Sequence, residues 1–187
     1  MELLDRILEY MREEAYNPML ISELAGALKI DEEASSELEE ILKYMESDGY
    51  IIKTRKKRYG LPERMNLIVG RLQGSQKGFG FLIPDNSDIR DLYIPVENLN
   101  GAMHNDRVIA RITKGSIGTI KSEGEIIRIL KRANEQIVGT FESNKRFGFV
   151  VPDDARIHQD IFISKEDFEG AKDGYKVVVQ ITRWPEG

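Results

Sequence analysis

The chain has 187 residues, with 27 lysines and arginines, 32 aspartates and glutamates, two histidines and no cysteine. Its 41% hydrophobic and 32% charged residues are typical of a folded globular protein. The lack of cysteine excludes disulfides, thiolate zinc sites and cysteine nucleophiles. No apolar run approaches the ~20 residues of a membrane span, and the acidic start does not resemble a signal peptide, so we expect a cytoplasmic protein without membrane partners.

The net charge of −5 is distributed unevenly along the chain. Residues 1–48 carry four basic and fourteen acidic side chains, whereas residues 49–65 carry six basic side chains and one acidic one. Residues 66–187 carry equal numbers of both signs. Because regional fields rather than the total charge attract a polyanion, the acidic total does not exclude a nucleic-acid partner.

Apolar residues at helical spacing predict three helices before residue 50. The first helix ends before Pro18, and the second spans residues 22–28. The third is predicted from an N-cap at Asp31 to a stop at Gly49. The apolar stripe of the first helix consists of Leu3, Leu4, Ile7, Leu8 and Met11.

A basic β-hairpin is predicted after these helices, with strands at 50–54 and 58–61. Three helices and a hairpin resemble a winged-helix domain, which we place at residues 1–64. The third helix carries eight acidic residues and one basic residue, so phosphates would repel it. The hairpin is the predicted nucleic-acid contact, and the alternative is a solvated tip that is basic for solubility. Its basic residues are Lys53, Arg55, Lys56, Lys57 and Arg58.

Residues 70–113 and 139–182 form an internal repeat, with about fifteen of 44 positions identical. The anchors include Phe79-Gly80-Phe81 with Phe147-Gly148-Phe149, and Asp91-Leu92-Tyr93-Ile94 with Asp160-Ile161-Phe162-Ile163. Their β-branched runs, with proline and glycine between them, predict about five strands per copy. The predicted fold class is therefore multi-domain α+β, in which two all-β OB-fold barrels at 67–131 and 136–187 follow the winged helix.

Phenylalanine and glycine alternate in the stretch Lys77-Gly78-Phe79-Gly80-Phe81, which places both rings on one face of a strand. If the rings point outward, Tyr93 from the next strand extends them into a platform on which bases can stack. The alternative is that the rings are ordinary barrel core. Stacking is worth roughly 1–3 kcal/mol per base and tolerates any nucleotide sequence.

The second copy repeats these candidates with Phe147, Phe149 and Phe162. Lys77 in the first copy, and Lys145 and Arg146 in the second, would meet phosphates at the platform edge. The duplication of the whole pattern favours an RNA-binding interpretation over barrel core.

Both copies resemble the cold-shock domain, whose two motifs have the forms Lys-Gly-Phe-Gly-Phe-Ile and Val-Phe-Val-His-Phe. The first copy matches the first motif nearly letter for letter. Where the second motif of the family has histidine, this chain has Pro95 in the first copy and Ser164 in the second. The resemblance implies two cold-shock barrels that bind single-stranded RNA.

The stretch from Thr54 to Pro62, followed by two cold-shock domains, resembles the N-terminal region of the bacterial ribonuclease R family. That resemblance implies the RNA-binding part of a Mg²⁺-dependent 3′→5′ exoribonuclease, whose catalytic domain is expected after Gly187. This chain is then expected to hold no cofactor and not to be an enzyme by itself. The implied partners are single-stranded RNA and, for the winged helix, duplex RNA or ribosome-associated proteins.

The remaining candidates for chemistry are weak. Asp153-Asp154-Ala155 is typical of a turn rather than of a metal site. His104 and His158 have no partner at the spacing of a metal site or a catalytic triad, so both are predicted to be surface residues.

Two other functions stay open at this point. One is that the chain is itself a nuclease. The other is a stand-alone RNA-binding, chaperone or protein-interaction module, in which the acidic helices dock a basic partner.

Overall fold

The computed structural model describes residues 2–14 and 16–185 and separates into two units, residues 1–69 and 70–187. The first unit contains the helices and the basic hairpin, and the second contains both copies of the repeat. The finer division into three domains stays a prediction. No helix in the described part of the chain has the length and apolar character of a membrane span.

Three helices form as the periodicity predicts: α1 (Leu3–Arg12), α2 (Ile21–Ala27) and α3 (Ser35–Ser47). Their apolar stripes meet in one core, as expected for amphipathic helices. The fully buried members of this core are Ile7, Met11, Leu24, Leu38, Leu42, Met45 and Ile51.

The predicted start of α3 at Asp31 is wrong, since the helix begins at Ser35. The Asp31 carboxylate accepts the Ala34 N–H at 3.0 Å and so caps a separate turn before the helix. The predicted stop at Gly49 is confirmed. Gly49 adopts a φ of +84°, and the Tyr50 N–H then returns to the Met45 carbonyl at 2.9 Å.

The hairpin strands β1 (Ile52–Lys53) and β2 (Tyr59–Gly60) are shorter than predicted. Tyr59 holds the hairpin against the segment after α1, because its carbonyl accepts the Tyr16 hydroxyl at 2.7 Å and it forms an antiparallel bridge with Met19. Three helices and a hairpin are thus present, while their assignment to the winged-helix class stays a prediction.

The first copy of the repeat is a closed five-stranded barrel in the order β3-β4-β5-β7-β6, as predicted. Its strand β7 closes the barrel by pairing with β6 antiparallel and with β5 in parallel. The strands are β3 (Leu67–Gly74), β4 (Gly80–Pro84), β5 (Leu92–Ile94), β6 (Arg107–Lys114) and β7 (Glu123–Lys131). The interior consists of Leu72, Leu82, Leu92, Ile94, Val108, Ala110 and Ile126.

The second copy is not the closed barrel that the repeat predicts. In the described residues it is a four-stranded sheet in the order β10-β9-β8-β11. No strand in residues 136–185 pairs with both β10 and β11, as β7 pairs with β5 and β6 in the first copy. The strands are β8 (Gln136–Ser143), β9 (Phe147–Pro152), β10 (Ile161–Ser164) and β11 (Lys176–Gln180).

A buried carboxylate ties the first copy to the connector that leads to the second. Asp106 is 0% exposed, and its oxygens accept the N–H groups of Met103 and Ala133, both at 2.9 Å. Arg132 donates to the same carboxylate at 3.0 Å. The Arg132 guanidinium also lies 4.7 Å from the ring centroid of Trp184. Residues from the first barrel, the connector and the end of the second copy therefore share one polar cluster.

The prediction that His104 is a surface residue is wrong, because its side chain is only 3% exposed. Its Nδ1 accepts the Gly74 N–H at 3.0 Å, and Asn134 donates to its main-chain oxygen. The local sequence reads as a loop, but residues of the second copy lie against it. His158 is exposed, as predicted.

Stability should depend on pH through His104. Burial lowers the pKa of its imidazole first, and Arg156 lowers it further. The folded state therefore disfavours the protonated imidazole of His104. The stability that the neutral imidazole contributes is fully present above the unfolded pKa of about 6.5, and it is lost as pH falls towards the folded pKa. The other charged groups that act on this imidazole are Asp154, Arg71 and Asp106.

We therefore expect the free energy of unfolding to fall by up to about 1.4 kcal/mol per pH unit over this window. Urea unfolding at a series of pH values measures it. A His104→Asn variant keeps an acceptor for the Gly74 N–H but cannot titrate, so its profile should be flatter. Equal slopes in the two proteins would contradict this role for His104.

Candidate nucleic-acid interface

Three aromatic rings cluster on the first barrel, and we call them the first platform: Phe79, Phe81 and Tyr93. Their ring centroids are 5.5 to 5.7 Å apart. Phe81 on β4 lies opposite Tyr93 on β5 in the strand register. Phe81 is 39% exposed and the other two rings are half-buried. The rings therefore form one continuous surface open to solvent.

The glycine between the two phenylalanines explains why the rings face outward. A Cβ atom built on Gly80 would lie 2.8 Å from Cδ1 of Leu72, inside the barrel. Only glycine fits there without displacing the core, and alternation along the strand then points Phe79 and Phe81 to the outside. Of the two orientations considered from the sequence, the structure has the outward one.

The second copy carries the same arrangement, which we call the second platform: Phe147, Phe149 and Phe162. Centroid distances are 5.3 Å between Phe147 and Phe149 and 5.9 Å from each of them to Phe162. A Cβ atom on Gly148 would lie 2.5 Å from the Phe141 ring, so this glycine also faces the interior. Phe162 is 60% exposed.

Cationic side chains precede each platform, where the sequence predicts them. Lys77 lies in the turn before Phe79, and Lys145 and Arg146 lie in the turn before Phe147; all three are exposed. The side-chain oxygen of Asn144 accepts the N–H groups of Arg146 at 2.8 Å and of Phe147 at 3.0 Å, which fixes that turn. An exposed turn with positive charge thus precedes each aromatic surface in the chain.

The platforms differ in one charge that the sequence reasoning did not consider. Glu142 on β8 lies opposite Phe149, and Gln73 on β3 holds the matching place opposite Phe81. Cross-strand partners point to the same face of a sheet. A carboxylate therefore borders the second platform and offsets part of the positive charge of Lys145 and Arg146.

The five basic residues of the hairpin separate into two groups. Arg58 pairs with Glu23 at 2.9 Å and donates to the Pro18 carbonyl at 3.0 Å, and Lys53 lies 5.3 Å from the Tyr59 ring centroid. These two help to hold the hairpin in place. The exposed residues at the tip are Arg55, Lys56 and Lys57.

The aspartates after β9 form a turn, as predicted. Asp153 pairs with Lys176, and the Asp154 carboxylate pairs with Arg156 at 2.9 Å. The side-chain hydrogen bond from Arg156 lowers the pKa of Asp154 to about 2. Among residues 2–14 and 16–185, no group of three or more histidines or carboxylates could hold a metal ion.

These features define a class of protein: tandem OB-type β-domains, each with an outward aromatic triplet. The family model of the ribonuclease B OB domain matches residues 70–129, and that of the cold shock domain matches residues 149–187. The solved structure of yeast Ssd1, a pseudonuclease, matches with a TM-score of 0.53 at 18% identity. It covers 66% of this chain and 22% of that chain, which is a likeness of fold.

Ribonuclease R of Escherichia coli is 38% identical over 181 residues, which are 96% of this chain and 22% of that protein. Ribonuclease R of Thermotoga maritima is 35% identical over 91% of this chain and 24% of its own length. The chain belongs to the ribonuclease R family, as its motifs predict, and it spans about a fifth of the length of these relatives.

Proposed function

We propose that the chain is the RNA-binding N-terminal region of a 3′→5′ exoribonuclease of the ribonuclease R type. Its two platforms capture single-stranded RNA by stacking and guide it to a catalytic domain outside the chain. The observation that carries this proposal is the duplicated triplet of outward-facing rings, with an inward-facing glycine behind each triplet. Membership of the ribonuclease R family supports it.

The chemistry of the platforms suits a single strand better than a duplex. Every unpaired base has a π-face, and stacking on an aromatic side chain needs no particular base. In a duplex the bases are stacked on each other and cannot reach such rings. A few cations at the edge suffice for the backbone, which reconciles the acidic total charge with an RNA partner.

Hydrolysis would take place in the catalytic domain, where carboxylates would hold Mg²⁺. The role of this chain is then binding and orientation. Titration of a fluorescein-labelled oligouridylate, followed by anisotropy at low salt, tests the proposal. Saturable binding is expected, and an unchanged anisotropy at the highest protein concentration would contradict it.

The hairpin tip should add phosphate contacts, including contacts with duplex RNA. Replacing Arg55→Gln and Lys56→Gln should reduce the slope of log Kobs against log salt by up to about 1.4, since each phosphate contact with a single strand contributes about 0.7. Lys57 is left in place because its φ of +58° shapes the turn.

A matched control neutralises two exposed cations of the helices, Arg12→Gln with Lys43→Gln. It changes the net charge equally but should leave the slope unchanged. Equal changes in the two variants would show that the hairpin acts only through total charge.

A further inference from the structure

The loop between β9 and β10 of the second copy packs against the first copy, beside Lys77. A Cβ atom built on Gly78 would lie 3.2 Å from both Cδ2 and Nε2 of His158, and 3.3 Å from Cγ2 of Val96. A Cβ atom on Gly74 would collide with the main-chain oxygen of Arg156. Gly78 directly precedes Phe79, so the imidazole of His158 packs against the residue next to the first platform in the chain.

Glycine is needed at position 78 for two reasons. Its φ is +96°, a conformation that side chains of L-residues rarely adopt. Its missing side chain also leaves the room that the His158 ring uses. The Lys77-Gly78 turn of the first copy is therefore shaped to receive a residue of the second.

The main chain that leads to His158 is held in place by contacts of the preceding residues. Ile157 is buried in a cluster with Met103 and Ile137, which anchors the loop to the first copy. Asp154 accepts the Arg156 N–H at 3.0 Å and pairs with the Arg156 side chain, which fixes the preceding turn. His158 itself stays exposed, and its ring has no hydrogen-bond partner in the described part of the chain. The ring is therefore carried on an ordered main chain and is free to contact a ligand.

We propose that His158 contacts the RNA strand that stacks on the first platform, through the face of its imidazole. Imidazole is one of the aromatic groups on which unpaired RNA bases stack. The first copy has Pro95 at the position that holds histidine in the cold-shock motif. Its neighbour Val96 and His158 from the second copy both border the space beside Gly78. The first binding surface is therefore built from both copies. This inference rests on the proposed function and adds a residue outside the aromatic motifs.

The two histidines make a direct test possible. An imidazole ¹H–¹³C NMR spectrum of the chain holds one signal from each of them, and the His158→Gln variant assigns the two signals. On titration with an unlabelled oligouridylate, the His158 signal should shift, and the signal of the buried His104 should stay in place.

Affinities measured by anisotropy supply the second readout. We expect His158→Ala to weaken binding about fivefold, the lower end of the range for one stacked base. His158→Phe keeps a flat ring and should bind within about twofold of the unchanged chain. Gln159→Ala, the neighbouring residue in the same loop, is the matched control and should have no effect.

The outcomes separate this inference from the proposed function. If RNA binds but the His158 signal does not shift, or if His158→Ala keeps full affinity, the inference about His158 is overturned. The proposed RNA binding by the platforms is then unaffected. If the unchanged chain binds no RNA, both fail. A shift of the His158 signal together with weaker binding by His158→Ala supports the inference.

Discussion

Replacing Phe79 and Phe81 together by alanine should weaken the binding of single-stranded RNA by at least about 30-fold. Each stacked base is worth roughly 1–3 kcal/mol, so the loss of two rings costs at least about 2 kcal/mol. Tyr93 alone would remain of a cluster whose centroids now lie within 5.7 Å of each other. Anisotropy titrations at one fixed salt concentration measure the effect.

Stability provides the first control for this variant. Because both rings point away from the barrel interior, the free energy of unfolding should change by about 1 kcal/mol or less. The matched variant Phe147→Ala with Phe149→Ala removes the same two rings from the second platform and should weaken binding by a similar factor. Unchanged affinity of the Phe79→Ala, Phe81→Ala protein would contradict stacking on the first platform.

The Asp106→Ala change should destabilise residues 70–187 by about 3–5 kcal/mol. It removes a fully buried carboxylate that accepts from the N–H groups of Met103 and Ala133 and from Arg132. The Arg132 side chain is only 18% exposed and would lose its partner charge. Urea unfolding followed by the fluorescence of Trp184, the single tryptophan, reports on this region.

An exposed ion pair of the same chemistry is the control. Asp85 pairs with Arg107 at 2.7 Å, but the two side chains are 50% and 32% exposed. Pairs of this kind contribute up to about 1 kcal/mol, so Asp85→Ala should have a small effect. If Asp106→Ala were no more destabilising than Asp85→Ala, the buried cluster would not hold the connector as described.

The features that local sequence patterns determine were predicted well. Helical periodicity predicted α1 to α3. Gly49 predicted the end of α3, because a residue in the left-handed conformation there closes the last turn. The alternation of phenylalanine and glycine gave both platforms, since strand geometry alone separates the two faces. The five-stranded closure of the first barrel followed from the strand count and turn spacing.

The errors concern contacts between distant segments. His104 lies in a loop by sequence, yet Gly74 and Asn134 hold it in a buried site. The repeat predicts a closed barrel for the second copy, but barrel closure depends on a further strand that pairs with β10 and β11. No local pattern reports either fact.

In the candidate site, too, the local features were predicted and the contacts between distant segments were not. Its edge cations lie within two residues of the Phe-Gly-Phe rings, and Tyr93 and Phe162 follow on the next strand, so the sequence predicts all of them. The packing of His158 against Gly78 joins residues 80 positions apart and two copies of the repeat, so no motif could reveal it. The use of Arg58 to tie the hairpin to Glu23 was likewise invisible in a run of basic residues.

The most direct test of RNA stacking on both platforms is ¹⁹F NMR of the chain labelled with fluorophenylalanine. Five of its seven phenylalanines belong to the platforms, and the other two, Phe141 and Phe168, pack against each other at 4.9 Å. On addition of an oligouridylate, we expect the five platform signals to shift and those of Phe141 and Phe168 to stay in place. RNA binding that leaves the platform signals unmoved, or shifts all seven alike, would contradict the account.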